Sequence, residues 1–299
     1  MSKPGFDNDG LPLNATAAKR EINRIRGDRG HIDDYDEDQI RKTDEDFQKD
    51  YRRRALIHRE VYARYTKTSV AEQLYSSRFR LIYELLQNGD DACYTENVEP
   101  TITFRIKPTE LIIESNERGF SLKDVESICD TGKSSKIGDS NTTGEKGLGF
   151  KSVFGIADYV HIQSGLWSFR FEHKRGEDGV GMITPMWTNI LSSLPSNVGT
   201  RCTLRYSDSR DSFHKRLISE FEKLPKTIIF ALRQLRKLSV VVETDDGRSS
   251  GITFTKDGDL NSDEMHINTI VTGQFGDHLS EITRLRLFQE TVIDLPFES

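Results

Sequence analysis

A chain of 299 residues with 35% hydrophobic and 30% charged residues has the make-up of a globular protein, large enough for one large domain or two smaller ones. Its net charge of -6 argues against a surface built around nucleic-acid phosphates, so nucleic acid is not indicated as a partner. No apolar run approaches the roughly 18 residues that span a bilayer, the Met-Ser-Lys-Pro start lacks an apolar signal region, and no membrane partner is expected.

Residues 1–17 are rich in Gly, Pro, Asn and Asp without a hydrophobic period, and read as a disordered arm. From Ala18 to about Arg54 charge of both signs is dense, as in Ile32-Asp-Asp-Tyr-Asp-Glu-Asp, and a charged helical extension over 18–69, solvated rather than core, is expected. Helical character strengthens over Arg54 to Arg64 and Val70 to Leu74 and runs into Leu81 to Ala92. In that last stretch Glu84, Asn88 and Asp91 stand at i, i+4 and i+7, which places Asn88 and Asp91 within roughly 40° of Glu84 around a helix axis. Leu81, Ile82, Leu85 and Leu86 form the apolar face. Taken alone, such a stripe is what any solvated amphipathic helix shows.

Pro100-Thr-Ile-Thr-Phe-Arg-Ile and Glu110-Leu-Ile-Ile-Glu-Ser predict a β-hairpin around Lys107-Pro-Thr-Glu. Gly119 permits a tight turn after the second strand, and Ser121 caps a short helix through Leu122-Lys-Asp-Val-Glu-Ser-Ile. Asp130 to Thr143 is a long polar segment with the composition of a lid, followed by Gly144-Glu-Lys-Gly-Leu-Gly-Phe opening into helix near Phe150. Strands follow at Tyr159-Val-His-Ile-Gln-Ser, Trp167-Ser-Phe-Arg-Phe-Glu and Thr200-Arg-Cys-Thr-Leu-Arg-Tyr, then helix from Phe213 to about Leu235 and strand at Leu238-Ser-Val-Val-Val-Glu-Thr. Residues 241–299 read as a strand meander, either an extension of the sheet or the start of a following domain. The end at Leu295-Pro-Phe-Glu-Ser, without a closing cap, has the pattern of a fragment of a longer protein.

The three cysteines, Cys93, Cys129 and Cys202, are widely spaced without a Cys-x-x-Cys pair; neither a disulfide framework nor a zinc site is suggested, and a reducing compartment, cytosolic or nuclear, fits. Cys93 and Cys129 flank motifs and are expected as small buried fillers, and the seven histidines lack metal-ligand spacing. Ser127-Ile-Cys-Asp-Thr-Gly-Lys-Ser approximates a Walker A loop, but its first glycine is replaced by Ser127 and a helix rather than a strand precedes it. Gly144-x-x-Gly147-x-Gly149 is the better phosphate cradle, since three glycines let backbone N–H groups approach a polyphosphate, with Lys146 and Lys151 adding charge and the following helix its dipole.

In order and spacing, Glu84-Leu-Leu-Gln-Asn-Gly-Asp-Asp-Ala, Glu99-Pro-Thr-Ile-Thr-Phe, Cys129-Asp-Thr-Gly-Lys-Ser, Gly144-Glu-Lys-Gly-Leu-Gly-Phe-Lys-Ser-Val-Phe and Gly199-Thr200 resemble the GHKL superfamily, the ATPases of gyrase, heat-shock protein 90, histidine kinases and MutL. The likeness is greatest to the N-terminal ATPase domain of NO VEIN-like proteins, relatives of sacsin, and covers roughly residues 70–240. It implies an α+β fold of the Bergerat type, a two-layer sandwich with a mixed, mostly antiparallel sheet, helices on one face and a lid at 131–143. It implies ATP and Mg²⁺ as cofactors. Glu84 then matches the general base, Asn88 the amide that ligates Mg²⁺, and Asp91 a position lining the nucleotide pocket. Gly144, Gly147 and Gly149 match the phosphate loop, Thr200 the threonine at the adenine end, and Phe120 a residue against the base. Ala92, Gly119, Lys133, Lys146, Leu148 and Phe150 belong to the same motifs and are expected at the nucleotide.

One departure stands out. The superfamily's adenine-reading aspartate opens an Asp-x-Gly-x-Gly motif; here Ser115 takes its place, Glu117 that of the first glycine and Gly119 that of the second. Ser115 offers a hydroxyl and Asn116 an amide oxygen, uncharged acceptors about half as strong as a carboxylate. The function implied is Mg²⁺-dependent ATP binding with slow hydrolysis, a conformational switch in a larger chaperone-like or scaffold protein. Its partners would be ATP or ADP and protein partners, following domains or a second copy in a nucleotide-dependent dimer. The alternative is a pseudo-ATPase, an interaction module without turnover.

Overall fold

The computed structural model describes residues 3–32, 34–74, 80–130, 149–174, 177–190, 193–206, 211–257, 264–272 and 280–286. Six helices, α1 (Ala15–Asp28), α2 (Asp34–Ile40), α3 (Glu45–Leu74), α4 (Arg80–Asp90), α5 (Leu122–Ile128) and α6 (Asp211–Glu222), accompany one sheet among these residues. Its strands are β1 (Thr101–Ile106), β2 (Glu110–Ser115), β3 (Ala157–Ser164), β4 (Trp167–Glu172), β5 (Met186–Trp187), β6 (Thr200–Tyr206), β7 (Lys237–Glu243), β8 (Ser249–Asp257), β9 (Glu264–Thr272) and β10 (Ser280–Arg286). They lie in the order β10-β9-β8-β7-β1-β2-β6-β3-β4-β5. Every pairing is antiparallel except that of β1 with β7. The expected mixed, mostly antiparallel sheet is therefore present. Among the described residues no helix is long and apolar enough to cross a membrane.

Alternation along β1, with Ile102, Phe104 and Ile106 buried, sets which face is core. Register carries that choice across the sheet: Phe169, Ile162, Cys202, Ile113, Phe104 and Val240 stand opposite one another in a single row from β4 to β7. Helices cover this face. The Phe221 ring of α6 lies 5.0 Å from that of Phe104, and α4 approaches so closely that a Cβ on Gly89 would stand 2.9 Å from Ile102 Cδ1. The opposite face carries an ionic ladder in which Arg105 donates to Glu114 at 3.0 Å and to Glu243 at 3.2 Å, and Arg201 pairs with Glu114 at 2.6 Å.

Four expectations change. Residues 3–14 are not a disordered arm: Phe6 is 3% exposed with its ring 6.0 Å from Trp167, and Leu122 N–H donates to Gly10 C=O. Within the charged extension, Ala17, Ala18, Ile22 and Ile25 are buried in the core, because four apolar positions at helical spacing suffice to seat α1 beneath a charged outer face. The stretch after the glycine cluster is a 3₁₀ segment, Gly149–Gly155, rather than an α-helix. Helix α6 ends at Glu222, and Pro225, which lacks an N–H, separates it from a short 3₁₀ turn at Lys226–Ala231. Residues 249–257, 264–272 and 280–286 extend the same sheet as β8 to β10.

Candidate functional site

A cavity of about 190 Å³ opens between the end of α4, the ends of β2 and β6, and the start of α5. Its floor is apolar, formed by Leu85, Ile102, Ile113 and Cys202. Residues expected at a nucleotide, Asn88, Asp91, Ala92, Ser115, Gly119, Phe120, Phe150 and Thr200, line it. Helix α4 forms one wall because its apolar face, Leu81, Ile82, Leu85 and Leu86, is pinned to the core, which leaves the Glu84, Asn88, Asp91 stripe outside. Its end is fixed by Asp90, whose carboxylate accepts the N–H groups of Arg233, Gln234 and Leu235 at 2.7, 2.7 and 2.9 Å. Asp91 in turn accepts from the Arg233 guanidinium at 2.6 Å.

Glu84, half-buried, lies one turn before Asn88, and its carboxylate rests on Gly149; a Cβ at that glycine would collide with it. The candidate base and the last glycine of the cluster are thus in contact. Lys133, Gly144, Lys146, Gly147, Leu148 and the expected lid at 131–143 lie outside the described residues.

The far wall is polar and tightly knit. Ser115 and Thr200 stand opposite one another at the ends of β2 and β6, at 9% and 7% exposure. Ser164 Oγ bonds Thr200 Oγ1 at 2.6 Å and accepts the N–H of Phe120 at 2.7 Å. The Ser115 and Thr200 hydroxyls both stand near enough to the carboxyl of Glu117 to favour its ionised form, and Glu117 lines the cleft at 9% exposure. Burial pushes the Glu117 carboxyl up to about 7; the bond from Thr200 opposes the rise, the nearby Asp124 adds to it, and the bond from Ser115 opposes it.

Three residues are placed differently from expectation. Asn116 does not line the cleft: its Oδ1 accepts from Thr101 N–H and its Nδ2 donates to Glu99 C=O, both at 2.8 Å, stapling the start of β1. Lys151 is fully buried, its Nζ bonded to the carbonyls of Ile128 and Met182 and 5.4 Å from the Phe171 ring centre, and burial pushes its ammonium down to about 8. It ties the 3₁₀ segment to the end of α5 instead of adding charge to a phosphate site. Cys93 is exposed and lines the cleft, whereas Cys129 is buried as expected. Glu117 is the residue that motif matching passes over. Its signal is the alternation of β2 carried past the strand's end, with 115, 117 and 119 buried and 116 and 118 half-buried.

The Sacsin domain family matches residues 107–236. Over 132 residues the chain is 38% identical to Protein NO VEIN of Arabidopsis thaliana, a match covering 44% of this chain and 5% of that protein. Over these residues the chain is similar to NO VEIN and to the Sacsin domain family. The sacsin-like relation extends to human Sacsin itself, 32% identical over 130 residues, 37% of this chain and 3% of Sacsin. A third relative is the provisionally named type II restriction enzyme HgiDII of Herpetosiphon aurantiacus, 29% identical over 106 residues, 33% of this chain and 16% of that protein. The chain therefore spans a small fraction of the curated relatives it matches. The Sacsin domain range contains the far wall, Ser115, Glu117, Gly119, Phe120 and Thr200, together with Gly149 and Phe150, and begins after α4.

Proposed function

We propose that the cleft is a Mg²⁺–ATP site of the Bergerat, or GHKL, type, and that the domain hydrolyses ATP slowly as a conformational switch in a larger chaperone-like or scaffold protein. The observation that carries this reading is the contact of Gly149 with Glu84 of α4, the helix whose Asn88, followed just past its end by Asp91, lines the cleft. Glu84 would orient and deprotonate the attacking water. Asn88, exposed at the rim, would hold Mg²⁺, and Phe120 and Thr200 would enclose the base.

The donor set fits the metal. Among the described residues no group of three or more His, Cys, Asp or Glu could hold a metal, while Mg²⁺ takes one or two protein ligands and completes its octahedron with phosphate oxygens and water. Bound there, Mg²⁺ would offset the charge of the phosphates. Slow turnover follows from the resemblance, in which a cation from a following domain or a second copy completes the site. The name of the restriction-enzyme relative carries no activity to this chain, since the shared 106 residues are 16% of that protein.

Thermal unfolding with and without Mg-ATP tests the reading: a ligand at 100 times its dissociation constant stabilises by about 2.7 kcal/mol. No shift at saturating nucleotide overturns it. Glu84→Ala should keep the shift and lose about a hundredfold or more in phosphate release. A second reading, a nucleotide-binding module without turnover, is favoured by Ser115 standing where the superfamily has a carboxylate. Wild-type protein that shows the shift but releases no phosphate would establish it.

A further inference from the structure

Glu117 is a buried carboxyl facing a cleft, and among the described residues the side chains that favour its ionised form are the hydroxyls of Thr200 and Ser115. Its position is rigid. Gly199 packs so closely that a Cβ there would collide with the Glu117 carbonyl, Gly119 holds the turn at φ +102, and Asn116 staples the chain just before it. A hydrogen-bonded chain runs from Phe120 N–H to Ser164 Oγ to Thr200 Oγ1, and the Thr200 hydroxyl in turn favours the ionised form of the Glu117 carboxyl. The ionisable group that acts on it is Asp124 on α5; Tyr94, beyond the end of α4, is itself pushed up by burial and by Glu117, and Asp91, engaged by Arg233, lines the same cleft. No described Lys or Arg is among the groups that shift it.

We propose that Glu117, rather than Ser115, reads the base, and that it does so as a neutral carboxylic acid paired with the N1 and N6 edge of adenine, so that nucleotide binding takes up a proton. The inference rests on the nucleotide reading of the cleft. Adenine's Watson–Crick edge presents an acceptor, N1, beside a donor, N6–H. A carboxylic acid offers the matching donor and acceptor, whereas a carboxylate offers two acceptors and would meet the N1 lone pair. Two acceptors instead suit guanine, whose edge presents N1–H and N2–H. Burial already raises this carboxyl toward neutrality, and a base that displaces the remaining water raises it further. The proton comes from solvent and stays on the carboxyl while the base is bound.

Calorimetric titration of the full chain with Mg-ATP, in buffers of different ionisation enthalpy from about pH 6.5 to about 8.5, decides the matter. Wild type should take up about one proton per ATP at the upper end, with affinity falling toward about tenfold per pH unit. Glu117→Gln supplies the same donor and acceptor without titrating, so it should bind ATP with no uptake at the upper end. Protonation of the nucleotide itself is common to both proteins and cancels in the comparison. Wild type should also gain in GTP relative to ATP binding as pH rises. Tight ATP binding by wild type without uptake overturns the inference and leaves the nucleotide reading standing. Absence of ATP binding by wild type at every pH overturns both. Wild-type proton uptake is informative by itself if the glutamine variant does not fold.

Discussion

Replacing Asp90 by alanine should unseat the end of α4, and with it the wall that carries Glu84, Asn88 and Asp91. Asp90 is 5% exposed, and its two oxygens take three backbone N–H groups from the segment that leads into β7. Hydrogen bonds to a charged group contribute about 1.5–3 kcal/mol each, and a buried donor left without an acceptor costs about 1–3 kcal/mol. Leu235 N–H is wholly buried, so it cannot turn to water, whereas those of Arg233 and Gln234 are part-buried and can be partly rehydrated. The sum for Asp90→Ala is a loss of about 3–5 kcal/mol, a large share of the roughly 5–15 kcal/mol that holds a domain folded. The Asp90→Asn variant would keep one acceptor and turn an NH₂ toward a donor, for a loss of about 2 kcal/mol. Urea unfolding of the three proteins, with coincident fluorescence and circular dichroism transitions, measures these differences. An alanine variant within about 0.5 kcal/mol of wild type would refute the reasoning, since it would mean that the carboxylate does not hold the helix end.

Gly149→Ala should leave stability within about 1 kcal/mol, because the new methyl meets only the end of the flexible Glu84 side chain, yet lower phosphate release at least about tenfold with ATP binding kept. Without nucleotide, wild type should lose stability as pH rises from about 4.5 to about 7, at up to about 1.4 kcal/mol per unit, because the folded carboxyl of Glu117 sits at about 7 against an ordinary 4.5. Glu117→Gln should remove that slope, and a flat difference between the two proteins over the window would count against the burial argument. Lys151 has the opposite sign: its folded value of about 8 lies below the ordinary 10.5, so wild type should gain stability over Lys151→Met as pH rises between the two. Phe6→Ala should cost about 3–5 kcal/mol and expose residues 3–14 to protease; unchanged unfolding would return them to a loose arm.

What the sequence discloses is local period, and what it hides is which distant residues a register brings together. The α4 stripe and the alternating strands are legible because side chains at helical or pleated spacing share a face whatever lies beyond them. The N-terminal segment is not, because Ile22 and Ile25 are diluted by Lys, Arg and Glu on the other faces of α1, and composition averages over faces. Lys151 misleads in the same way. A lysine beside a glycine cluster suggests a phosphate ligand, but the carbonyls that receive its ammonium belong to Ile128 and Met182, distant in the chain.

At the turn after β2 the structure keeps Ser115 in the cleft but turns Asn116 away from it. Matching a motif position by position gives each residue the role of its counterpart and ignores which side it faces. Alternating burial does not stop at the last ladder bond: the chain bends at Glu117, yet Ser115, Glu117 and Gly119 are buried while Asn116 and Arg118 are half-buried and bond Thr101 with Glu99 and Asp9 respectively. In the proposed nucleotide site, the carboxylate that the superfamily carries at the position of Ser115 would be supplied from Glu117, which lines the cleft, and not from Asn116, which does not. What the alternation does not disclose is the partner. Only the pairing of Ser115 with Thr200 across β2 and β6 places a second hydroxyl at the Glu117 carboxyl, and with it the relay through Ser164 to Phe120 that makes this end of the cleft one connected unit.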